Sequence, residues 1–543
     1  MDSYGNIGGS SRRNARKRRQ VTRNILLVAL SAVLVAGVAL LGIFVIKPMI
    51  TRETVPSVSR TEPPTENTAL ETDEHGSAAP TAYSGTYAEL LNSARRTALM
   101  YDYDGAIAMV KSAFPDYAGR KELAAFIEWC SEEKAQLVKW SDNTQITHVF
   151  FHTLVVEEEK AFSMRNISAN DYNMVMTTVD EFNAIIEEMY ARGFVLVHLS
   201  DIASIELQAD GSRKMVFKSI YLPEGKKPFV LSQDDVSYYE YMTENGQPVP
   251  GETLSGFATK LVLRNGKVTN EMAMADGSVR YGSFDMVPLL DDFVEAHPDF
   301  SYHGAKCTIA LTGYNGVLGY RTSDISYGYP VMDPSLADEA TYRRVHLYYN
   351  DNIEADKAEA KRVADAMKAN GWKFASHTWG HANVGNYDPV NPTQSFYRQM
   401  KWWDDEVKPI VGDTDIIIFA FGADIADWRG YEATNVLYTT MKSYGFDYFC
   451  NVDASTHAWV QLKGSVTSGD GTYVDDGYFR QGRRNLDGQR MFEDIVFPER
   501  NRLSDLVESK KVFSRKRPLP TPQDKTFLGM TLPEGFNAAT MFD

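Results

Sequence analysis

Apolar and polar positions along the chain fall into three regimes. The first is an uninterrupted apolar run from Ile25 to Ile46. It matches the roughly 20 residues that cross a bilayer as a helix. The second runs from Tyr87 to Val138 and has helical spacing. Leu90, Leu91, Ala94, Ala98 and Leu99 define one predicted helix, Tyr103 to Phe114 a second that Pro115 stops, and Leu123, Phe126, Ile127 and Cys130 a third. The third regime begins at Thr147. Short buried runs at 147–152, 194–197, 227–231, 307–311, 373–376, 416–421 and 448–451 alternate with amphipathic helices such as 179–193, 289–296 and 355–370. This alternation predicts an α/β fold with a parallel sheet, open or closed into a barrel, whose chemistry gathers at the C-terminal ends of the strands. The alternation breaks near 240–285, where Arg264-Asn265-Gly266-Lys267 between apolar stretches predicts a hairpin.

Composition and charge place these pieces. Arg12, Arg13, Arg16, Lys17, Arg18, Arg19 and Arg23 precede the apolar run against one acid, Asp2, although the net charge is -16. The basic cluster should stay cytoplasmic and the acidic body face outward. An acidic body excludes nucleic acid as the expected partner. A cleaved signal is the rival to a permanent anchor, but Lys47-Pro48-Met49 makes a poor cleavage site. The expected organisation is a cytoplasmic tail (1–24), a transmembrane helix (25–46) and a disordered linker (47–84) rich in Pro, Thr, Ser and Glu. A helical segment (85–140), an α/β domain (145–500) with insertions near 240–285 and 313–345, and a C-terminal extension (501–543) follow. Within the helical segment, Tyr101 to Ile107 resembles a helical hairpin of tetratricopeptide type, which implies a spacer or a surface for a protein partner. Cys130, Cys307 and Cys450 form an odd, sparse set that reads as buried thiols.

Two groups carry chemistry. Asp234-Asp235 follows a predicted strand; such pairs bind cations or simply cap turns. His377 and His381 stand four apart after another strand, a spacing that on a helical turn lets both imidazoles meet one metal. The zinc-protease pattern His-Glu-x-x-His is excluded, because Thr378 follows the first histidine. Together, Asp235, His377 and His381 make a three-ligand site with room for water and substrate, and Asp234 is the spare carboxylate suited to general base work.

These motifs resemble the NodB-homology polysaccharide deacetylases (carbohydrate esterase family 4-like). Ser232-Gln233-Asp234-Asp235-Val236 stands for Thr-Phe-Asp-Asp-Gly, and Ser376-His377-Thr378-Trp379-Gly380-His381 for Ser/Thr-His-x-x-x-His. Phe151-His152-Thr153-Leu154, ahead of the Asp-Asp pair, is similar to the permuted order of the extracellular poly-N-acetylglucosamine deacetylases. The resemblance covers about Thr147 to Pro498. It implies a distorted (β/α) barrel, a divalent metal of the zinc type, and removal of N-acetyl groups from peptidoglycan or poly-N-acetylglucosamine. His152 becomes the candidate acid, with a core histidine as the competing reading, and His148 is structural. The chain departs from the family at Gln233 and Val236, lacks the Leu-x-His motif, and has Phe419-Ala420-Phe421-Gly422 where Arg-x-Pro-Tyr-Gly is usual. The Phe421 backbone N–H is the candidate oxyanion donor. Arg480 to Asn485 reads as a solvated basic loop or as a partner for Asp234. Trp379, Trp402, Trp403, Trp428, Tyr238 and Tyr239 read mostly as core, with a sugar-binding groove as the alternative. Two rival functions are a glycan-binding pseudoenzyme and an anchored cell-wall interaction protein.

Overall fold

Six largely apolar runs and one polar one form seven parallel strands: β1 Thr147–Phe151, β2 Lys227–Asp234, β3 Thr308–Leu311, β4 Lys373–Ser376, β5 Ile416–Ile418, β6 Tyr448–Val452 and β7 Tyr478–Asn485. Each pairs with its chain neighbour from β1 to β7, and β7 pairs with β1 to close the ring. The chain is therefore α/β with a closed (β/α) barrel. The computed structural model describes residues 86–163, 169–243, 255–328, 349–453, 458–500 and 502–542. The expected tail, membrane span 25–46 and linker lie outside them. Among the described residues no helix is long and apolar enough to cross a membrane.

Strands in such a ring are covered on both faces, so they read as near-continuous apolar runs. β1 and β3 are buried at every position. The exception is β7. Arg480 to Asn485, expected as a solvated loop, is almost wholly buried strand between β6 and β1. Phe194–Leu196 joins only the first half of β2, as a flanking strand outside the ring. The predicted hairpin forms: Lys260–Arg264 pairs antiparallel with Lys267–Ala273. Asn265 and Gly266 supply the two positive φ values (50° and 77°) that a tight two-residue turn requires.

The helical regime forms α1 Tyr87–Leu99, α2 Tyr103–Ala113 and α3 Lys121–Ala135. Thr86 and Glu89 make a reciprocal capping box at the start of α1. Leu90, Leu91, Val110 and Leu123 share one buried cluster with Val230, Ala310, Ala375, Ile418, Cys450 and Phe479 of the barrel strands. The Tyr101 hydroxyl donates to the Asp299 carbonyl at 2.7 Å, and the His303 N–H to the Met100 carbonyl at 2.8 Å. Each large aliphatic side chain withdrawn here stabilises by about 1.5–3 kcal/mol. Outside the ring run α4 Val179–Ala191, α5 Met286–Ala296, α6 Ile353–Ala369, α7 Gln394–Glu406, α8 Val436–Ser443 and α9 Gly488–Val496. α4 opens with a capping box between Thr178 and Glu181.

Candidate metal centre

β2 carries the acidic pair to the end of the barrel where the strands finish. Asp234 is its last residue, level with Ala310 of β3. Asp235 turns out of the strand with φ 65°, its N–H donating to the Ala310 carbonyl at 3.2 Å. Asp tolerates this left-handed conformation better than most residues. Val236 takes no positive φ and is fully buried. The left-handed residue precedes the family's glycine position, so a branched side chain fits at 236. Gln233 donates to Asp285 at 2.7 Å and to the His152 carbonyl at 3.2 Å, which ties the acidic pair to the loop after β1.

β4 delivers His377, whose N–H donates to the Leu311 carbonyl at 2.9 Å. The expected helical turn is absent. Thr378 and His381 take φ values of 62° and 53°. The loop is pinned by Gly380 N–H to Gln399 at 2.6 Å and Ala382 N–H to the Thr378 hydroxyl at 2.7 Å. The imidazoles nonetheless converge, with ring centroids 4.9 Å apart. His377 Nδ1 lies 2.7 Å from the Ile418 carbonyl. A carbonyl only accepts, so Nδ1 carries the proton and Nε2 presents its lone pair, the usual preparation of a metal-binding histidine.

Asp235, His377 and His381 each offer a ligand atom, all within 4.8 Å of one another. His377 Nε2 stands 3.9 Å from Asp235 Oδ1, and His381 Nε2 3.7 Å from Asp235 Oδ2. Bonds of about 2.0–2.2 Å at near-tetrahedral angles set ligand atoms about 3.4 Å apart, so separations of up to 4.8 Å must close by as much as about 1.4 Å for the three donors to share a cation. Two imidazoles and one carboxylate suit zinc and also ferrous iron, so the donor set defines a divalent cation rather than one element. Tyr239 donates to Asp235 Oδ1 at 2.5 Å and meets Thr312 at 3.0 Å, which fixes the carboxylate plane.

Arg483 of β7 completes the site. Its guanidinium, fully buried, donates to both oxygens of Asp234 at 2.7 and 2.9 Å and to Ser232 at 3.2 Å. Of the two sequence readings of this segment, the partner for Asp234 is the one observed. His148, buried on β1 level with Arg483 of β7, meets the Ser232 hydroxyl at 2.9 Å. Burial alone raises the Asp234 carboxyl; Arg483, with His377 and His152, outweighs it and holds it below the usual carboxylate range. Burial likewise opposes ionisation of Asp235, but His381, His377 and His152 bring it down to about 2. Both carboxylates are therefore charged at neutral pH.

His152 lies at the end of β1, half-buried, with Nδ1 3.0 Å from the Val175 carbonyl. Its carbonyl accepts from Gln233, the residue before the acidic pair. Phe421 follows β5 with φ 58°, is 61% exposed, and sets its ring 4.4 Å from that of His381. Trp379, Trp403, Tyr238 and Tyr239 are core, whereas Trp428 is 83% exposed. Backbone strain thus clusters around the site, at Asp235, Thr378, His381 and Phe421.

Trp379 extends the site's loop to Glu406 at the end of α7, donating at 2.5 Å. Ser323 and the Ile325 N–H donate to the same carboxylate at 2.8 and 2.9 Å. Burial pushes the Glu406 carboxyl up to about 7 despite these donors. An unfolded glutamate titrates near 4.3. The native state holds the proton more tightly, so this stabilisation is complete below about pH 4.3 and lost as pH rises through about 7. Glu406→Gln cannot titrate. Its stability relative to wild type should therefore improve by roughly 2–3 kcal/mol between pH 4.5 and 8, read from urea unfolding. A difference that does not change with pH would mean that Glu406 ionises as an ordinary surface acid.

The fold and site together define a closed parallel barrel with a candidate mononuclear metal centre at the C-terminal ends of its strands. No protein-family model matches the chain, and no curated protein matches it. Among solved structures it is similar to Streptococcus pyogenes deacetylase PplD in complex with acetate, with 11% identity and a TM-score of 0.30, over 68% of this chain and 99% of that one.

Proposed function

We propose that the chain is a metal-dependent hydrolase that removes N-acetyl groups from an extracytoplasmic glycan of peptidoglycan or poly-N-acetylglucosamine type. The observation that carries this reading is the pairing of a three-donor cluster, Asp235, His377 and His381, with a second carboxylate, Asp234, kept charged by Arg483. A divalent cation held by the three donors would lower the pKa of a coordinated water to about 7 and polarise an acetamide carbonyl. Asp234 takes the proton of the attacking water; each of its oxygens retains a lone pair beyond the one that accepts from Arg483. The Phe421 N–H donates to the carbonyl oxygen as negative charge develops there. His152, protonated on Nε2 while Nδ1 stays on the Val175 carbonyl, gives its proton to the departing amine. Acetate and a free amine result. The outward placement follows from residues 1–46, whose basic cluster precedes the apolar run.

The altered Asp-Asp turn and the missing motif arginine favour a glycan-binding pseudoenzyme. Against this, the buried Arg483 guanidinium on Asp234 supports the hydrolase reading. The test uses the full chain in detergent, purified without chelator, with metal content and acetate release from N-acetylglucosamine oligomers measured together. One equivalent of metal and metal-dependent acetate release are expected. His377→Ala should lose both, because two remaining donors hold a divalent ion weakly. Bound metal with no acetate from any oligomer or from peptidoglycan would replace hydrolysis by glycan binding.

A further inference from the structure

Arg517 lies in the C-terminal segment, far along the chain from the motifs, and its guanidinium is buried. All five of its N–H groups have acceptors. Nε donates to Glu181 Oε1 at 2.6 Å. One terminal nitrogen donates to the Asn173 carbonyl at 2.9 Å and to the Asn173 side-chain oxygen at 2.8 Å. The other donates to the Met176 carbonyl at 2.6 Å and to Glu181 Oε2 at 2.7 Å. An ion pair with Glu181 would anchor the segment to α4 by itself. The fork onto Asn173 and Met176 does something more, because these two residues bracket Val175, whose carbonyl meets His152 Nδ1 at 3.0 Å.

Two further contacts fix the same short stretch. Thr177 donates to the Leu486 carbonyl at 2.6 Å, and Gly488 N–H to the Met176 carbonyl at 3.3 Å. A Cβ at Gly488 would stand 2.0 Å from the Asn173 carbonyl oxygen and 2.5 Å from Arg517, so the approach leaves no room for a side chain. The position of the Val175 carbonyl is thus set by Leu486, Gly488 and Arg517, which hold the residues on either side of it. That carbonyl decides which nitrogen of His152 carries the proton and where the other one points.

We propose that Arg517 is a positioning residue: acting through the Val175 carbonyl, it fixes the tautomer and aim of His152. The statement about His152 geometry stands on the contacts alone; its consequence for turnover rests on the hydrolase reading. Arg517→Lys keeps a cation opposite Glu181 and loses the fork. Nitrogen NMR of histidine-labelled full-length protein, with the His152 signals assigned by their loss in His152→Ala, reads the tautomer. The wild type should show a single Nδ1–H form and Arg517→Lys a mixture. Asn173→Ala, a milder change that removes one acceptor, should shift the same way to a lesser degree. On N-acetylglucosamine oligomers, Arg517→Lys should lose kcat by about 10–100-fold with KM within about threefold and metal content unchanged. In a His152→Ala background it should cost no further kcat, whereas a merely structural role predicts the same fold-loss in both backgrounds. An unchanged tautomer, or equal losses with and without His152, overturns the proposal. Tautomer mixing in Arg517→Lys alongside a wild type that releases no acetate upholds the positioning role and removes the hydrolase reading instead.

Discussion

Arg483→Met should destabilise the protein by about 3–5 kcal/mol and abolish most turnover. The loss follows from what remains: Asp234, buried and facing an apolar side chain, keeps none of the guanidinium's donors. Arg483 is also the main influence that holds the Asp234 carboxyl down against its burial. Without it the carboxyl rises, and a protonated acid cannot take a proton from water. A depressed native carboxyl contributes stability above the unfolded value, near 3.9, that is lost as pH falls through the native one. The stability deficit of the variant should therefore be largest above about pH 4 and shrink below it, in urea unfolding at both pH values. In the same variant the acid limb of kcat/KM should move to higher pH. A variant as stable as wild type, with an unmoved acid limb, would remove Arg483 from the site's electrostatics.

Asp234→Asn should retain the metal and lose about a thousandfold or more in kcat, near the upper range for removal of a general base. The amide is close in shape and can still accept one bond from Arg483, so the fold should persist. It cannot accept the water's proton. His377 Nε2 is 4.0 Å from Asp234 and 3.9 Å from Asp235, so distance alone barely separates the two carboxylates. What separates them is occupancy: both Asp234 oxygens are taken by Arg483, while Asp235 also faces His381 at 3.7 Å. Loss of metal in Asp234→Asn would reverse these roles and make Asp235 the base.

The candidate donor cluster was legible because its members lie in sequence motifs at strand ends, and strand ends are where a barrel concentrates its chemistry. The six apolar barrel strands were legible for the same reason that they are buried. β7 was not. Its arginines make it look solvated, and each of Arg480, Arg483 and Arg484 instead meets an aspartate brought from elsewhere: Asp424, Asp234 and Asp505. Local pattern carries no record of such pairs, because their partners are set by ring closure. The convergence of the two histidines was legible, and their conformation was not. Spacing of four suggests a helix, but left-handed turns at Thr378 and His381 bring the same rings together. Tyr239 was read as core or as a sugar platform, and its hydroxyl on Asp235 depends on a turn that no periodicity announces.

Ring closure has a consequence for the order in which the protein can be made. The first strand of the ring is sealed only by the last, β7. Arg483 lies 249 residues downstream of Asp234. At ribosomal rates of about 5–20 residues per second, the acidic residue waits roughly 12–50 s for its guanidinium. During that interval the nascent sheet has two unpaired edges, the hazard that a finished barrel abolishes. The chain's most vulnerable moment thus falls late in synthesis, when nearly all of its apolar strands exist and the polar one that encloses them does not.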